Sequence, residues 1–308
     1  MDYTVALTGA TGFIGNRVAR RLVASGCKLQ ALTRATSDRS RLSGFNIQWV
    51  EGALEDVDSL RRLVRGVDAV VHCAGAVRGA TQAHFDRMNV DGVARLVRAA
   101  LEQHPLPRFL LISSLAAREP GLSYYAASKR QAETMLAGQA GSMPWAALRP
   151  PAVYGPGDRE MLPLFRWMAR GVAPLVGSDS SRVSLLYVDD LAEAVIKWLR
   201  NENCTQAVFE LHDGRPAGYS WQDVIDTIEH LTGKRVRGVK VPLAVLKTVS
   251  SLNLSAARIF GYAPMFTPGK LRELRHPDWV CDNTAFTRKT GWTPQVSLEE
   301  GLRRTLEL

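Results

Sequence analysis

No apolar run in this chain approaches the ~18–20 residues that a membrane-spanning helix needs. The nearest candidate, residues 241–257, is broken by Lys247 and several serines. Cysteine is scarce: Cys27, Cys73, Cys204 and Cys281 form no Cys-x-x-Cys pair, so neither a zinc site nor a disulfide framework is expected. Free thiols in a reducing compartment are the expectation instead. Aromatic residues make up only 7% of the chain and no basic run is interleaved with them, so the footprint of a nucleic-acid-binding surface is missing. No period of 20–50 residues recurs, which removes solenoids. A strand-like run that begins at Thr4 leaves no room for a signal peptide. The expectation is a cytoplasmic protein.

What is present is enough apolar material for a full core, 46% of 308 residues, in one large domain or two unequal lobes. Thirty-nine basic against thirty acidic residues leave a net charge of +9. That balance points to an anionic partner, either a phosphorylated cofactor or an acidic membrane surface. Strand-like runs at 4–8, 28–33, 47–50, 69–72, 109–113 and 145–148 alternate with helix-period stretches; in the first of these Ile14, Val18 and Leu22 fall four apart and Gly26 marks the end. Strict alternation predicts an α/β protein with an open, Rossmann-type, doubly wound parallel sheet. After Arg149 the texture changes, with Pro150, Pro151, Gly155, Pro156 and Gly157 crowded together. The division expected is a dinucleotide-binding domain of residues 1–150 plus about 183–200, and a smaller, mostly helical substrate lobe of 151–182 plus about 201–308.

Between the first strand and first helix lies Thr8-Gly9-Ala10-Thr11-Gly12-Phe13-Ile14-Gly15. Gly9 permits a tight turn, Gly12 lets the backbone approach a pyrophosphate, and Gly15 lets helix and strand pack closely. The helix N-terminus then offers free N–H groups to the phosphates. An NAD site ends its second strand in an acid that bonds the ribose 2′-hydroxyl. Here Thr33 stands in that place and Arg34 follows, a fork suited to a 2′-phosphate. NADP(H) is therefore preferred, with NAD(H) left open; Arg39 and Arg41 follow in a loop. Tyr125 and Lys129 are four apart and share a helix face, and an ammonium beside a phenol would draw its pKa down toward neutrality. Asp189-Asp190 could suggest a metal, but adjacent carboxylates diverge and no histidine is near in sequence. Helix N-capping and domain contacts are expected of them, and no metal. His72 reads as packing.

Taken in order, several motifs carry a resemblance over nearly the whole length. They are the Gly-x-x-Gly-x-x-Gly turn, His72-Cys73-Ala74-Gly75, Asn89-Val90-Asp91-Gly92, Ser113-Ser114, Tyr125-Ala126-Ala127-Ser128-Lys129, Arg149-Pro150-Pro151-Ala152-Val153-Tyr154-Gly155-Pro156-Gly157 and Tyr187-Val188-Asp189-Asp190-Leu191. The chain resembles an extended short-chain dehydrogenase/reductase of the epimerase/dehydratase family. In motif style it is similar to the branch like 3β-hydroxysteroid dehydrogenases and dihydroflavonol reductases. The resemblance implies a hydride-transfer enzyme in which Ser114, Tyr125, Lys129 and Asn89 form the catalytic set. Tyr125 would move the proton, Ser114 hold the substrate oxygen, Lys129 tune the phenol and bond the nicotinamide ribose, and Asn89 make a structural or water-relay bond. Cofactor contacts would come from Gly9, Thr11, Gly12, Phe13, Ile14, Gly15, Arg34, Leu54, Cys73, Ala74, Gly75, Pro150 and Val153, besides Tyr125 and Lys129. Tyr124 would shape the pocket and Ser113 would be structural. Gly52-Ala53-Leu54 departs from the family's Gly-Asp-Leu, which removes its acidic adenine contact.

Nucleotide-sugar members commonly carry Arg-Asp-aromatic shortly before the Tyr187 motif, where this chain has Val183-Ser184-Leu185. That loss favours a ketoreductase or alcohol dehydrogenase acting on an apolar, lipid- or steroid-like molecule, such as a 3-keto-lipid of the 3-ketosphinganine type. The alternatives are a nucleotide-sugar epimerase or dehydratase with tightly held NAD(P), and a non-catalytic dinucleotide-binding subunit. Residues 267–279 also resemble the steroid-like branch. The stretch 241–266, apolar with Lys247, Arg258, Phe260, Tyr262 and Phe266, either lines an apolar pocket, lies on an anionic membrane at its inner face, or is an ordinary amphipathic cover of the lobe. Family members often form homodimers through the helix that bears the Tyr and Lys.

Overall fold

The computed structural model describes residues 3–308. Six of its strands follow the expected runs: β1 (Thr4–Thr8), β2 (Lys28–Thr33), β3 (Ile47–Glu51), β4 (Ala69–His72), β5 (Arg108–Ile112) and β6 (Trp145–Arg149). They form one parallel sheet in the order β6, β5, β4, β1, β2, β3, and a seventh strand, Ala207–Glu210, adds beside β6. β1, β4, β5 and β6 are buried almost throughout, as continuous apolar runs in a sheet covered on both faces must be. One core lies under the Phe13–Ala24 and Val188–Leu199 helices, around Val18, Leu22, Leu191 and Trp198. The other, around Leu60, Leu96, Val97 and Leu136, lies on the opposite face. The chain direction reverses its winding between β1 and β4, and ligands bind at such a switch point beyond the strands' carboxyl ends.

The second lobe has its own core of Tyr154, Phe165, Tyr187, Ile228 and Leu302, built from the helices Leu162–Ala169, Trp221–Thr232 and Leu298–Leu306 and a pair of short parallel strands, Ala152–Tyr154 and Leu185–Tyr187. Three details differ from expectation. The strand near 185 joins this small pair and not the main sheet, although the helix after it does return to the main domain, against Phe13–Ala24. The seventh strand of the main sheet comes from beyond residue 200, a part expected in the substrate lobe. Only four residues long and at an edge, it buries just Phe209, too little to show as a run in sequence. Asp189 and Asp190 do not cap the helix they open, since the N-cap is Tyr187 without a side-chain bond. They lie in its first turn, where acids suit the helix dipole. Asp190 instead accepts the backbone N–H groups of Gln295 and Val296 at 3.0 Å each, and so ties the C-terminal segment down.

One buried network joins the sheet to the helix Tyr124–Gln139. Arg149, at the end of β6, makes two bonds to the Glu133 carboxylate (2.8 and 2.6 Å), and the Ser113 hydroxyl donates to the same carboxylate at 2.5 Å. Ser113 is thereby structural. A buried pair of this kind costs most when one half is removed. Arg149→Leu should lower unfolding stability by about 3–5 kcal/mol, read from denaturant midpoints, and Glu133→Leu combined with Arg149→Leu should lose less than either change alone.

Candidate active site

At the switch point the Gly9 backbone takes a left-handed conformation (φ +77°), and a Cβ there would stand 2.7 Å from the Ala74 nitrogen at the end of β4. Gly15 sits still closer, since its Cβ would overlap the Gly9 carbonyl. The turn closes through the Gly12 N–H to the Gly9 carbonyl at 2.9 Å. Gly12 itself meets nothing else on its outer side, and no side chain caps the helix it begins, so the first amides beside exposed Thr11 and half-buried Phe13 and Ile14 are left for an anion. Behind them the Ala74 N–H donates to the Thr8 hydroxyl (3.3 Å), which in turn lies 2.8 Å from His72 Nδ1. Burial pushes the His72 pKa down to about 3, so the ring is a neutral stitch between β1 and β4.

Other residues expected around a cofactor are distributed unevenly. The Arg34 side chain is exposed and makes no hydrogen bond or ion pair among the described residues. Arg39 lies over the Trp49 ring at 5.6 Å, and Arg41 reaches the Gly157 loop of the second lobe. Cys73 and Ala74 are half-buried and Gly75 is exposed at the mouth. Val153 is half-buried, and buried Pro150 accepts the Leu115 N–H at 2.9 Å. Leu54 is buried and packs on Gly92, where a Cβ would come within 2.9 Å of it. A turn whose glycines leave no room for side chains, an uncapped helix start and an uncommitted arginine after β2 together fit a nicotinamide dinucleotide.

Next to this cradle stands the N-terminus of the helix Tyr124–Gln139. Ser123 caps it by accepting the Ala126 N–H at 3.0 Å. Lys129 is buried, and its Nζ donates to the Ile112 carbonyl at 3.0 Å, near Gly75. Burial draws its pKa down to about 8, against the opposing pull of Cys73 and Glu133. Tyr125 behaves contrary to expectation. Its phenol is pushed up to about 12, chiefly by burial, with the neighbouring Ser114 hydroxyl pulling it back and the Glu273 carboxylate adding to the rise. Lys129 spends its ammonium on a backbone carbonyl, so spacing alone misjudged the sign. A phenol held protonated is set to donate. Tyr124, one residue away, is 46% exposed.

Asn89 lies in a π-helical turn, Arg87–Asp91, an irregularity common at functional sites. Its amide donates to the Ala76 carbonyl (3.0 Å) and the Ser128 hydroxyl (2.9 Å), and its carbonyl accepts the Ala76 N–H at 2.7 Å. It thus pins the loop after β4 onto the helix that carries Tyr125. Sequence reasoning missed three residues here. Ser128 links Asn89 to the Tyr125 carbonyl, donating to it at 2.8 Å. Phe85 sets its ring edge-on to Tyr125 with centroids 6.1 Å apart. Glu273, buried on the helix Pro268–Arg275, accepts the Ser123 hydroxyl and pairs with Lys270 at 2.8 Å. The stretch around it was noticeable in the sequence, but a contact made across 150 residues leaves no local signal.

A parallel sheet with a glycine-built turn at its switch point and a phenol–ammonium pair beside it defines a dinucleotide-binding α/β protein. The sequence profile of the NAD dependent epimerase/dehydratase family matches residues 5–210, and the chain belongs to that family. It is an NAD(P)-dependent enzyme, and its cofactor is a nicotinamide dinucleotide. Over 303 residues it is 34% identical to a ceramide reductase of Caulobacter vibrioides, covering 98% of this chain and 93% of that protein. It is 29% identical to a 2-alkyl-3-oxoalkanoate reductase of Stenotrophomonas maltophilia, with 97% of each covered. The fold is shared with a dTDP-glucose 4,6-dehydratase of Streptomyces venezuelae solved with NAD bound (TM-score 0.77, 21% identity, 99% of this chain and 96% of that one).

Since the Glu273 charge adds to the rise of the Tyr125 pKa, Glu273→Gln should lower that pKa while keeping an acceptor for Ser123. Spectrophotometric titration of the phenol, with the Tyr125→Phe protein as the blank, checks this; an unmoved titration would show that the phenol does not feel the carboxylate.

Proposed function

We propose that this enzyme reduces a ketone on a lipid-like substrate, such as a 3-keto-lipid, to the secondary alcohol at the expense of NADPH, working in the cytoplasm peripherally at the inner membrane face. The observation that carries the reading is the half-buried Tyr125 phenol beside Ser114, its pKa raised above the ordinary value, at the edge of a lobe that lacks the charged pair usual before the Tyr187 motif. A protonated phenol serves reduction, in which the new alkoxide needs a proton. The reductase names of the two relatives support the same direction, and the lipid-like molecules in those names, ceramide and a 2-alkyl-3-oxoalkanoate, support the substrate class.

In this reading the Gly9–Gly15 turn and Arg34 hold the cofactor, and Lys129 holds its nicotinamide ribose. The bound nicotinamide supplies the hydride. Ser114 donates to the substrate oxygen, where negative charge develops, and Tyr125 gives that oxygen its proton. Asn89, through Ser128 and the Ala76 loop, keeps helix and cradle in register.

Tyr125→Phe should leave folding and cofactor binding nearly intact while turnover falls roughly a hundredfold or more, the scale of a lost general acid. Lys129→Ala should lose both turnover and cofactor affinity. If Tyr124→Phe were the crippling change and Tyr125→Phe silent, the assignment would fall.

Stoichiometry decides between reductase and epimerase. One NADPH should be consumed per alcohol formed with a keto-lipid substrate, and NADPH should bind at least several-fold more tightly than NADH. Arg34→Asp should erase or reverse that preference by setting a like charge against the 2′-phosphate. Turnover of a nucleotide sugar with no net loss of NADPH would overturn the reading.

A further inference from the structure

The helix Leu243–Phe260 packs on one side only. Leu246, Ser250 and Ala257 are buried, next to the helix Pro268–Arg275. Another stripe of the same helix faces solvent with apolar residues four and three apart: Val245 (50% exposed), Val249 (50%), Leu252 (64%) and Ile259 (76%), joined by Phe260 (78%). Single exposed hydrophobics need no explanation, but a continuous row does. Seven of the sixteen exposed large hydrophobic side chains among the described residues lie between Leu243 and Tyr262.

Charge identifies what would cover that row. From His230 to Arg272 the chain contains eight lysines and arginines and no aspartate or glutamate. Lys247 and Arg258, on the helix itself, are exposed and form no ion pair among the described residues. A cleft of ≈ 570 Å³ between this helix and the next is lined by Leu243, Lys247, Leu271, Arg272, Arg275 and His276, apolar at its base and basic at its rim. Lys247 and Arg258 are the only charged residues of the helix itself, and an apolar stripe beside them and the basic cleft matches the interfacial zone of a bilayer with acidic headgroups. A protein partner would have to supply an acidic surface around an apolar strip, whereas an anionic leaflet supplies both everywhere.

The position of the helix is as telling as its composition. Beyond its end, the Pro264 carbonyl accepts the Gly79 N–H at 3.2 Å, and a Cβ on Gly79 would touch Phe85, the residue whose ring meets Tyr125. On the other side Arg272 donates to the Leu122 carbonyl at 2.8 Å, next to the Ser123 cap. The residues that follow the helix thus reach the surroundings of Tyr125 from two sides, Pro264 by way of Gly79 and Phe85 and Arg272 by way of Leu122.

We propose that the Leu243–Phe260 helix is a membrane-docking element that lays its Val245–Ile259 stripe into the surface of an anionic phospholipid bilayer, with Lys247, Arg258 and the basic cleft on the headgroups, so that the mouth next to Tyr125 opens toward the leaflet. The proposal does not rest on the ketone reading, because vesicle binding is measured without turnover. The full chain is sedimented with vesicles of phosphatidylcholine alone and of phosphatidylcholine mixed with phosphatidylglycerol. The protein should pellet with the mixed vesicles, at least tenfold less with phosphatidylcholine, and less as salt is raised. Leu252→Glu combined with Phe260→Glu should abolish pelleting while the thermal midpoint and NADPH affinity stay unchanged. Wild-type protein that remains in the supernatant with the mixed vesicles overturns the proposal. So does a double variant that pellets like wild type, or light scattering that shows a wild-type dimer which the double variant splits, since the row would then be an interface between copies.

Discussion

Two buried carboxylates hold the Tyr124–Gln139 helix, and the site depends on that clamp. Glu133, within the helix, is bound to Arg149 and Ser113 at the ends of β6 and β5, which sets the helix against the sheet edge where the cofactor cradle lies. Glu273, from the second lobe, receives the hydroxyl of Ser123, the helix N-cap, two residues before Tyr125. The first contact belongs to the dinucleotide-binding domain and the second to the lobe expected to shape substrate choice. The helix that carries Tyr125 is thus held by both.

Within that clamp, burial outweighs charge. It pushes the Tyr125 phenol up to about 12 and draws the Lys129 ammonium down to about 8, each toward its neutral form, as desolvation must. The ammonium is not lost to the site, because the Ile112 carbonyl holds it.

The two halves of the molecule answer to different constraints. In the sheet domain the glycines permit only one close packing of turn, helix and strand end, and little can vary. The C-terminal lobe is built around a separate core and carries on its outer side an apolar row that stays exposed among the described residues. Rigid chemistry is thereby joined to a surface free to specialise.

The sheet domain was legible in the sequence because its information is local. Four of the parallel strands are buried, nearly continuous apolar runs, the turn needs Gly9, Gly12 and Gly15 at fixed spacing, and Tyr125 and Lys129 share a face by helix geometry alone. Where contacts are distant, the sequence was silent or misleading. The edge strand Ala207–Glu210 buries one side chain and so leaves no pattern; Asp190 proved to hold backbone amides more than a hundred residues away. Glu273 reaches the Tyr124–Gln139 helix only because the second lobe folds back over it. The sign of the Tyr125 shift also lay beyond spacing. A four-residue interval says that phenol and ammonium can be neighbours, but desolvation depends on everything packed around them, and that is decided only when the two lobes close on the helix.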